Sequence, residues 1–167
     1  APTGRAAKVI ANYSNNPAFT IHKKIYFPKK SSGGGVAFTK QLNKHKNTVF
    51  IVDEASMIAD EWNPQNGSSF LKDLIEFVFQ PAPTGKDKNC ALLFVGDTAQ
   101  LPPVGSLESP ALNQTYLTDN FGLNVNAVEL TEVVRQEKKS GILANATMLR
   151  KLINEYKEDE KILPKFS

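Results

Sequence analysis

The sequence predicts an α/β layered fold with a mostly parallel sheet, on the strength of three observations. Two short, continuously apolar runs at residues 48–53 and 91–96 are typical of parallel strands that are covered on both faces. Segments with apolar residues at helical spacing alternate with these runs. With 167 residues, 41% of them hydrophobic and 22% charged, the chain has the size and balance of one globular domain.

Helices are predicted where apolar residues recur on one helical face. The predicted helices cover residues 5–13, 67–79 and 140–156. Ser68 or Ser69 is expected to cap the second of them, which should end before a turn-rich segment that contains two prolines. A third strand is predicted at residues 126–130.

A β-hairpin is predicted at residues 25–38, where two strand-like triplets (IYF and VAF) flank a glycine-rich tip. The glycines leave a flexible loop as the alternative to a rigid hairpin. The surrounding stretch, residues 23–46, carries seven lysines. Because the net charge of the chain is only +3, a solvated basic face stays open as the alternative to a nucleic-acid surface.

The composition argues against several classes of protein. Cys90 is the only cysteine, so no internal disulfide can form, and no cysteine or histidine lies near it at zinc-ligand spacing. No apolar run approaches the roughly 20 residues that span a bilayer, and the first residues lack the apolar core of a signal peptide. We therefore expect a cytoplasmic protein with no membrane partner.

An acidic pair ends the first strand, and its position predicts a site for nucleotide hydrolysis. Asp53 at a strand terminus can hold the Mg²⁺ that bridges nucleotide phosphates. The adjacent Glu54 can orient and deprotonate the attacking water. The same pair of residues also occurs as a helix cap with an acidic first turn, which is the structural alternative.

The second strand is followed by GDTAQLPPVG, which places Gln100 beyond its carboxyl end. A parallel neighbour would bring Gln100 into the same crevice as Asp53 and Glu54, because open parallel sheets bind ligands at this edge. The side-chain amide carries a donor and an acceptor, so it can contact a phosphate oxygen and the nucleophilic water at once. Pro102 and Pro103 stiffen the turn, and an ordinary proline-ended loop is the alternative.

Five segments occur in a fixed order along the chain. They are APTGRAA at residues 1–7, FTIHK at 19–23, VFIVDEASMI at 49–58, LLFVGDTAQLPPVG at 92–105 and LTEVVRQ at 130–136. Together they resemble the first motor domain of superfamily-one DNA helicases that move 5′ to 3′, the RecD-like and Dda-like group. The resemblance implies a RecA-like P-loop NTPase fold, with residues 25–38 as a small, pin-like inserted hairpin.

By this resemblance, Asp53 binds the metal and Glu54 is the catalytic carboxylate. Gln100 corresponds to the residue that senses phosphate and couples hydrolysis to DNA, and Arg135 to the one that reaches the γ-phosphate. A guanidinium there would stabilise charge on the transferring phosphoryl group, whereas a surface arginine at a helix end is the alternative. ATP and Mg²⁺ are the implied cofactors.

The resemblance also implies a path for single-stranded DNA. The candidate contacts are Pro2, Thr3, Gly4, Arg5, Thr20, His22, Pro102 and Pro103. Hydroxyls and backbone amides at a helix start can hold phosphates without reading the base sequence. His22 could stack on a base or hydrogen-bond, with a purely structural histidine as the alternative.

The predicted hairpin occupies the place where the family inserts a wedge that splits the duplex. Phe27, Lys29 and Lys30 are its candidate working residues, through stacking and charge. The partners that the resemblance implies are therefore single-stranded DNA and duplex junctions.

The chain departs from the family in two respects. It contains no GxxxxGK[ST] loop, whose amides and lysine cradle the β- and γ-phosphates, and it contains one motor domain where helicases use two. We therefore expect residues 1–167 to be a partial N-terminal motor domain, inactive alone, that uses ATP and Mg²⁺ only with a P-loop. Because the P-loop strand lies centrally in the family's sheet, its loss would leave the remaining strands poorly joined.

Two other functions stay open. The chain could belong to the motor subunit of a RecBCD-like exonuclease complex, with nuclease or recombination subunits as partners. It could instead be a degenerate motor domain that only binds DNA or protein. No nuclease site is indicated, because acidic residues other than Asp53 and Glu54 do not gather at predicted strand ends.

Overall fold

The computed structural model describes residues 1–30, 36–64, 67–130 and 141–155. The chain divides into two units, Ala1–Asn126 and Ala127–Ser167. In chain order the helices and strands are α1 (Gly4–Ser14), α2 (Ile21–Ile25), β1 (Tyr26–Lys30), β2 (Val36–Lys40), β3 (Val49–Val52), β4 (Trp62–Asn63), β5 (Ser68–Ser69), α3 (Phe70–Phe79), β6 (Ala91–Phe94), α4 (Gln114–Phe121) and α5 (Gly141–Glu155). Of these, only α5 belongs to the second unit.

The two strands predicted at residues 48–53 and 91–96 are confirmed as β3 and β6. They pair in parallel, with Val49 opposite Ala91 and Val52 opposite Phe94. This register brings the carboxyl ends of both strands to the same edge of the sheet.

The two faces of this sheet differ in their surroundings. Phe50 packs into the core, where its ring meets that of Phe77 edge-on with the centroids 5.8 Å apart. On the other face Ile51 and Leu93 are 63% and 48% exposed. The expectation that both faces are covered is wrong for the described residues, because α3 packs against one face and the other meets solvent.

The predicted mostly parallel sheet is not confirmed. Besides β3 and β6, the described strands form antiparallel pairs, β1 with β2 and β4 with β5. The strand predicted at residues 126–130 is wrong: this segment has no β-structure, and Val128 and Leu130 are each 86% exposed. A strand needs a hydrogen-bonding neighbour, and none of the described residues pairs with this segment.

The predicted hairpin is confirmed with shifted ends. Its first strand begins at Tyr26, because Ile25 ends α2, and its second strand continues two residues beyond Phe38. β1 and β2 pair antiparallel, with Tyr26 opposite Lys40 and Lys30 opposite Val36. Residues 31–35, at the glycine-rich tip, lie outside the described residues.

A buried carboxylate ties the base of the hairpin to α3. Asp73 is 1% exposed and accepts hydrogen bonds from the Tyr26 hydroxyl at 2.6 Å and from the Lys40 ammonium at 2.9 Å. Lys40 also pairs with Glu76 at 2.6 Å, closer to solvent. Since Tyr26 and Lys40 lie opposite each other, both strands of the hairpin are joined to one helix.

The three predicted helices are confirmed, with shifts at their ends. α3 begins at Phe70, three residues later than predicted, because Ser68 and Ser69 pair with β4. Ser69 is the cap, since its hydroxyl accepts a hydrogen bond from the Lys72 amide at 3.1 Å. The predicted ends of the last helix, residues 140 and 156, lie outside the described residues.

The core of the first unit gathers around the apolar face of α3. Its largest fully buried apolar side chains are Ile25, Ile58, Leu71 and Val78. They join α2, the segment after β3 and α3 into one cluster. None of the described helices has the length and apolar character to cross a membrane.

Candidate nucleotide and nucleic-acid site

The parallel pairing continues past the ends of β3 and β6 and joins the loops that follow them. The Val95 amide donates to the Val52 carbonyl at 2.8 Å, and the Ala55 amide donates to the Val95 carbonyl at 3.0 Å. Asp53 and Glu54 therefore leave the sheet beside the loop that carries Gln100. This is the edge at which open parallel sheets bind ligands.

Asp53 and Glu54 are both partly buried at this edge. Asp53 Oδ1 accepts a hydrogen bond from the Glu54 amide at 3.0 Å. Glu54 has a φ of 57°, in the left-handed region that residues with side chains rarely adopt. Only a 3-10 turn, Ala55–Met57, follows, and no side chain caps it. The helix-cap alternative is therefore wrong, and the strained backbone is of a kind that clusters at functional sites.

The donor set at Asp53 suits Mg²⁺. Among the described residues, no group of three or more His, Cys, Asp or Glu side chains could enclose a metal ion. Mg²⁺ usually takes only one or two protein carboxylates and completes its shell with water and substrate phosphates. One partly buried carboxylate at a strand end, with its second oxygen free of the contact to Glu54, meets that requirement.

Gly96 lets the loop after β3 pack closely against the end of β6. A Cβ atom at Gly96 would lie 2.9 Å from Leu112 Cδ1 and 3.0 Å from the Ser56 amide nitrogen. Both distances are shorter than ordinary carbon contacts, which begin near 3.5 Å. The absence of a side chain at Gly96 therefore allows the turn after Glu54 to lie this close to the end of β6.

We expect Gly96→Ala to lower the free energy of unfolding by about 1–3 kcal/mol, the usual cost of adding a methyl group to a packed site. Urea denaturation followed by circular dichroism measures this loss. Gly4→Ala is the matched control, because a Cβ there meets nothing within 4 Å. Equal stabilities of the two variants would show that the contact at Gly96 relaxes without cost.

The loop after β6 folds back and presents Gln100. The Asp97 backbone carbonyl accepts a hydrogen bond from the Gln100 backbone amide at 3.1 Å. Gln100 lines an open cavity of about 560 Å³ with Met57, Pro102 and Pro103, among others. Met57 belongs to the turn that follows the acidic pair, so the two loops meet. The acidic pair itself does not line this cavity, and the crevice shared with Gln100 stays a prediction.

Ser56, in the same turn, was missed by sequence reasoning. Its side chain is 1% exposed, and its hydroxyl has no hydrogen-bond partner among the described residues. A buried hydroxyl without a partner costs free energy, and such groups are uncommon in folded proteins. Nothing in the local pattern signals it, because a serine two residues after an acidic pair is equally typical of an exposed turn.

The structure brings together the two segments predicted to contact single-stranded DNA. The Ala1 amine donates to the Phe19 carbonyl at 3.1 Å, and the Ala1 carbonyl accepts from the Ile21 amide at 2.9 Å. The starts of α1 and α2 therefore lie side by side. Thr3 and Thr20 cap these helices. The hydroxyl oxygen of each accepts a hydrogen bond from a backbone amide three residues later, at 3.2 Å. Each hydroxyl can still donate its own proton. The predicted DNA contacts at Pro2, Thr3, Gly4, Arg5 and Thr20 stay predictions.

His22 packs against a neighbouring ring. Its imidazole stacks on Phe70 with the centroids 4.4 Å apart and the planes inclined by 22°. Burial lowers the pKa of His22 below its usual value of 6.5, so the ring is mainly neutral at pH 7. One face of the ring is occupied, which favours the structural alternative for this histidine; a DNA contact through its other side stays a prediction.

The candidate residues of the hairpin are only partly described. Phe27 is 44% exposed, and Lys29 is exposed on the same strand. The side chain of Lys30 lies outside the described residues, as does Arg135 in the segment that resembles the γ-phosphate-contacting motif. The wedge role of the hairpin stays a prediction.

Comparison with known proteins identifies the family of this chain. The family of the AAA domain matches residues 1–106. An ATP-dependent RecD2 DNA helicase from Deinococcus radiodurans is 31% identical over 148 residues, which cover 87% of this chain. The chain spans 16% of the length of that helicase. No solved structure matches this chain. The predicted resemblance to RecD-like motor domains is therefore confirmed, and the chain belongs to the AAA domain family.

Proposed function

We propose that this chain is part of an ATP-dependent DNA helicase that couples hydrolysis to movement along single-stranded DNA and to duplex unwinding. The parallel pairing of β3 and β6 carries the proposal, because it sets the acidic pair beside the Gln100 loop. Similarity to an ATP-dependent RecD2 DNA helicase supports DNA as the substrate. Since the chain spans 16% of that relative, the proposed activity is that of the whole protein.

The proposed roles follow from the charge and reach of each group. Asp53 would hold Mg²⁺, which when bound neutralises charge on the β- and γ-phosphates. Glu54 would accept a proton from the attacking water, and Gln100 would hold that water against a phosphate oxygen. Arg135 would contact the γ-phosphate through two parallel hydrogen bonds.

These roles need a phosphate cradle, and no GxxxxGK[ST] sequence occurs in the 167 residues. We therefore propose that the chain by itself neither hydrolyses ATP nor unwinds DNA. Thr3 and Thr20, at two adjacent helix starts, would hold phosphates of the single strand, and the hairpin would meet the duplex junction.

Two proteins test the proposal: this chain alone, and the whole product of its gene. The whole product is expected to hydrolyse ATP faster when single-stranded DNA is added and to unwind a duplex that carries a 5′ single-stranded tail. The chain alone should do neither, and DNA-stimulated turnover by it would contradict that part. A whole product without DNA-stimulated turnover would refute the helicase function. It would favour the alternative of a degenerate motor domain that only binds DNA or protein. Nuclease subunits that co-purify with an active whole product would favour the exonuclease complex.

A further inference from the structure

A groove beside α2 combines an exposed aromatic ring with several lysines. It has a volume of about 280 Å³, and its lining includes Phe19, Lys23, Lys24, Leu42, Lys44 and His45. We call it the Phe19 groove. Its lysines belong to the basic stretch at residues 23–46, for which the sequence left a solvated face and a nucleic-acid surface as alternatives.

The two walls of the Phe19 groove, α2 and the segment after β2, are held together by Gln41. The Gln41 backbone amide donates to the Ile25 carbonyl at 2.7 Å. Its side-chain amide donates to the Tyr26 carbonyl at 2.6 Å and to the Lys23 carbonyl at 3.2 Å. The shape of the groove is therefore fixed by the fold of the backbone on both sides.

The ring of Phe19 is partly exposed and carries cations over it. Phe19 is 42% exposed, and the ammonium groups of Lys24 and Lys23 lie over its ring, 5.4 and 5.9 Å from the centroid. A partly exposed ring with lysines around it is the combination that binds bases and phosphates of single strands without reading sequence.

The described residues do not neutralise the positive charge of the groove. Within the described part of the chain, the ion pairs involve Lys40 and Lys72, and no carboxylate pairs with the lysines of the groove. The Lys24 ammonium instead donates to His45 Nε2 at 2.8 Å. Burial, and then the charge of Lys24, lower the pKa of His45, so this pair carries one positive charge rather than two near pH 7. Such a site attracts an anionic ligand.

We propose that the Phe19 groove binds one nucleotide of single-stranded DNA, with its base stacked on Phe19 and the flanking phosphates held by Lys24 and Lys44. This inference rests on the proposed function and adds a binding site to it. Phe19 directly precedes Thr20, and the Phe19 carbonyl accepts a hydrogen bond from the Ala1 amine at 3.1 Å. The groove therefore continues the predicted single-strand path at the starts of α1 and α2. The exposed ring favours DNA over an acidic peptide, whose carboxylates would use the lysines without stacking.

Binding of a fluorescein-labelled oligothymidylate of roughly 12 nucleotides to the full chain, measured by fluorescence anisotropy, tests the groove. Phe19→Ala and Phe19→Leu should each weaken binding about 5- to 150-fold, the value of one stacked base. Leucine keeps most of the apolar volume, so it separates the loss of stacking from misfolding. The double change Lys24→Gln with Lys44→Gln should reduce the salt dependence of log affinity by about 0.7 for each phosphate that the protein no longer neutralises.

Two variants outside the groove serve as controls. Phe79→Ala removes a ring that is 43% exposed on α3, and Lys8→Gln removes an exposed charge from α1. Both should leave the affinity and its salt dependence unchanged, and circular dichroism should show that every variant is folded. Control variants that weaken binding as much as the groove variants would overturn the proposal.

Two further outcomes overturn the proposal in different ways. If Arg5→Gln weakens binding while the Phe19 variants do not, the single-strand path exists without the groove. If a polyaspartate peptide binds wild type and Phe19→Ala equally well and displaces the DNA, the groove is a surface for acidic peptides. A wild-type chain that binds no oligonucleotide would refute the groove together with the DNA-binding part of the proposed function.

Discussion

Asp73→Ala is expected to lower the free energy of unfolding by about 2–4 kcal/mol, because it removes the acceptor of a buried hydrogen-bond network. The Tyr26 hydroxyl donates to Asp73 at 2.6 Å, and the Tyr26 side chain is itself buried. Without the carboxylate, that hydroxyl loses its buried acceptor and Lys40 loses the inner of its two partners. Chemical denaturation of the chain gives the difference directly.

Two matched changes separate the parts of this network. Asp73→Asn keeps the shape and one acceptor for Tyr26 but removes the charge that faces Lys40, so an intermediate loss is expected. Glu76→Gln acts on the exposed partner of Lys40, where an ion pair contributes about 0–1 kcal/mol. A Glu76→Gln variant as unstable as Asp73→Ala would contradict the importance of the buried carboxylate.

The same carboxylate makes stability depend on pH. Burial by itself would raise the pKa of Asp73, but the hydrogen bonds from Tyr26 and Lys40 outweigh it and hold the pKa below the ordinary value of 3.8. A carboxyl group with a lowered pKa in the folded state stabilises the fold above its unfolded pKa, near 3.9, and less as pH falls through the folded value. The stability difference between wild type and Asp73→Asn should therefore shrink as pH falls below about 4. If this difference stays constant within about 0.5 kcal/mol between pH 2 and 7, the charge of Asp73 does not contribute to the stability of the network.

The network also shows where sequence reasoning reaches its limit. The apolar run before Asp53, the serine cap of α3 and the two strands of the hairpin are local patterns, and the structure confirms each of them, although Ile25 of the first triplet ends α2. The partners of Asp73 lie 47 and 33 residues away along the chain, so no local pattern connects them. A charged residue within the apolar periodicity of α3 was the one available signal.

The strand predicted at residues 126–130 fails for a related reason. Its apolar residues have the composition of a strand, but pairing is a property of two segments, and the described residues supply no neighbour. The exposure of one face of β3 and β6 could not be predicted for the same reason. The sequence shows that Ile51 and Leu93 are apolar, but it does not show whether another element packs on them. At the candidate site, the sequence indicated which residues follow the strands, whereas the left-handed backbone of Glu54 and the close contact at Gly96 needed coordinates.

Glu54→Gln in the whole protein is expected to reduce DNA-stimulated ATP hydrolysis by about 10²–10⁴-fold, the usual contribution of a general base. The amide has the size of the carboxylate but cannot accept the proton of the attacking water. Binding of ATP and of single-stranded DNA should persist, because neither depends on that proton. Phosphate release in the steady state measures the loss, and Glu61→Gln, the same change at a nearby exposed residue, is the control. Comparable losses in both variants would contradict the role of Glu54.

The backbone of Glu54 allows a sharper test of the same role. With φ at 57°, the residue carries a conformational cost that glycine would not, of about 1 kcal/mol. Glu54→Gly should therefore be at least as stable as wild type in denaturation, yet as inactive as Glu54→Gln. Stability and activity then move in opposite directions, as expected where strain is kept for function. If Glu54→Gly instead loses stability and keeps turnover, Glu54 shapes the turn and another group activates the water.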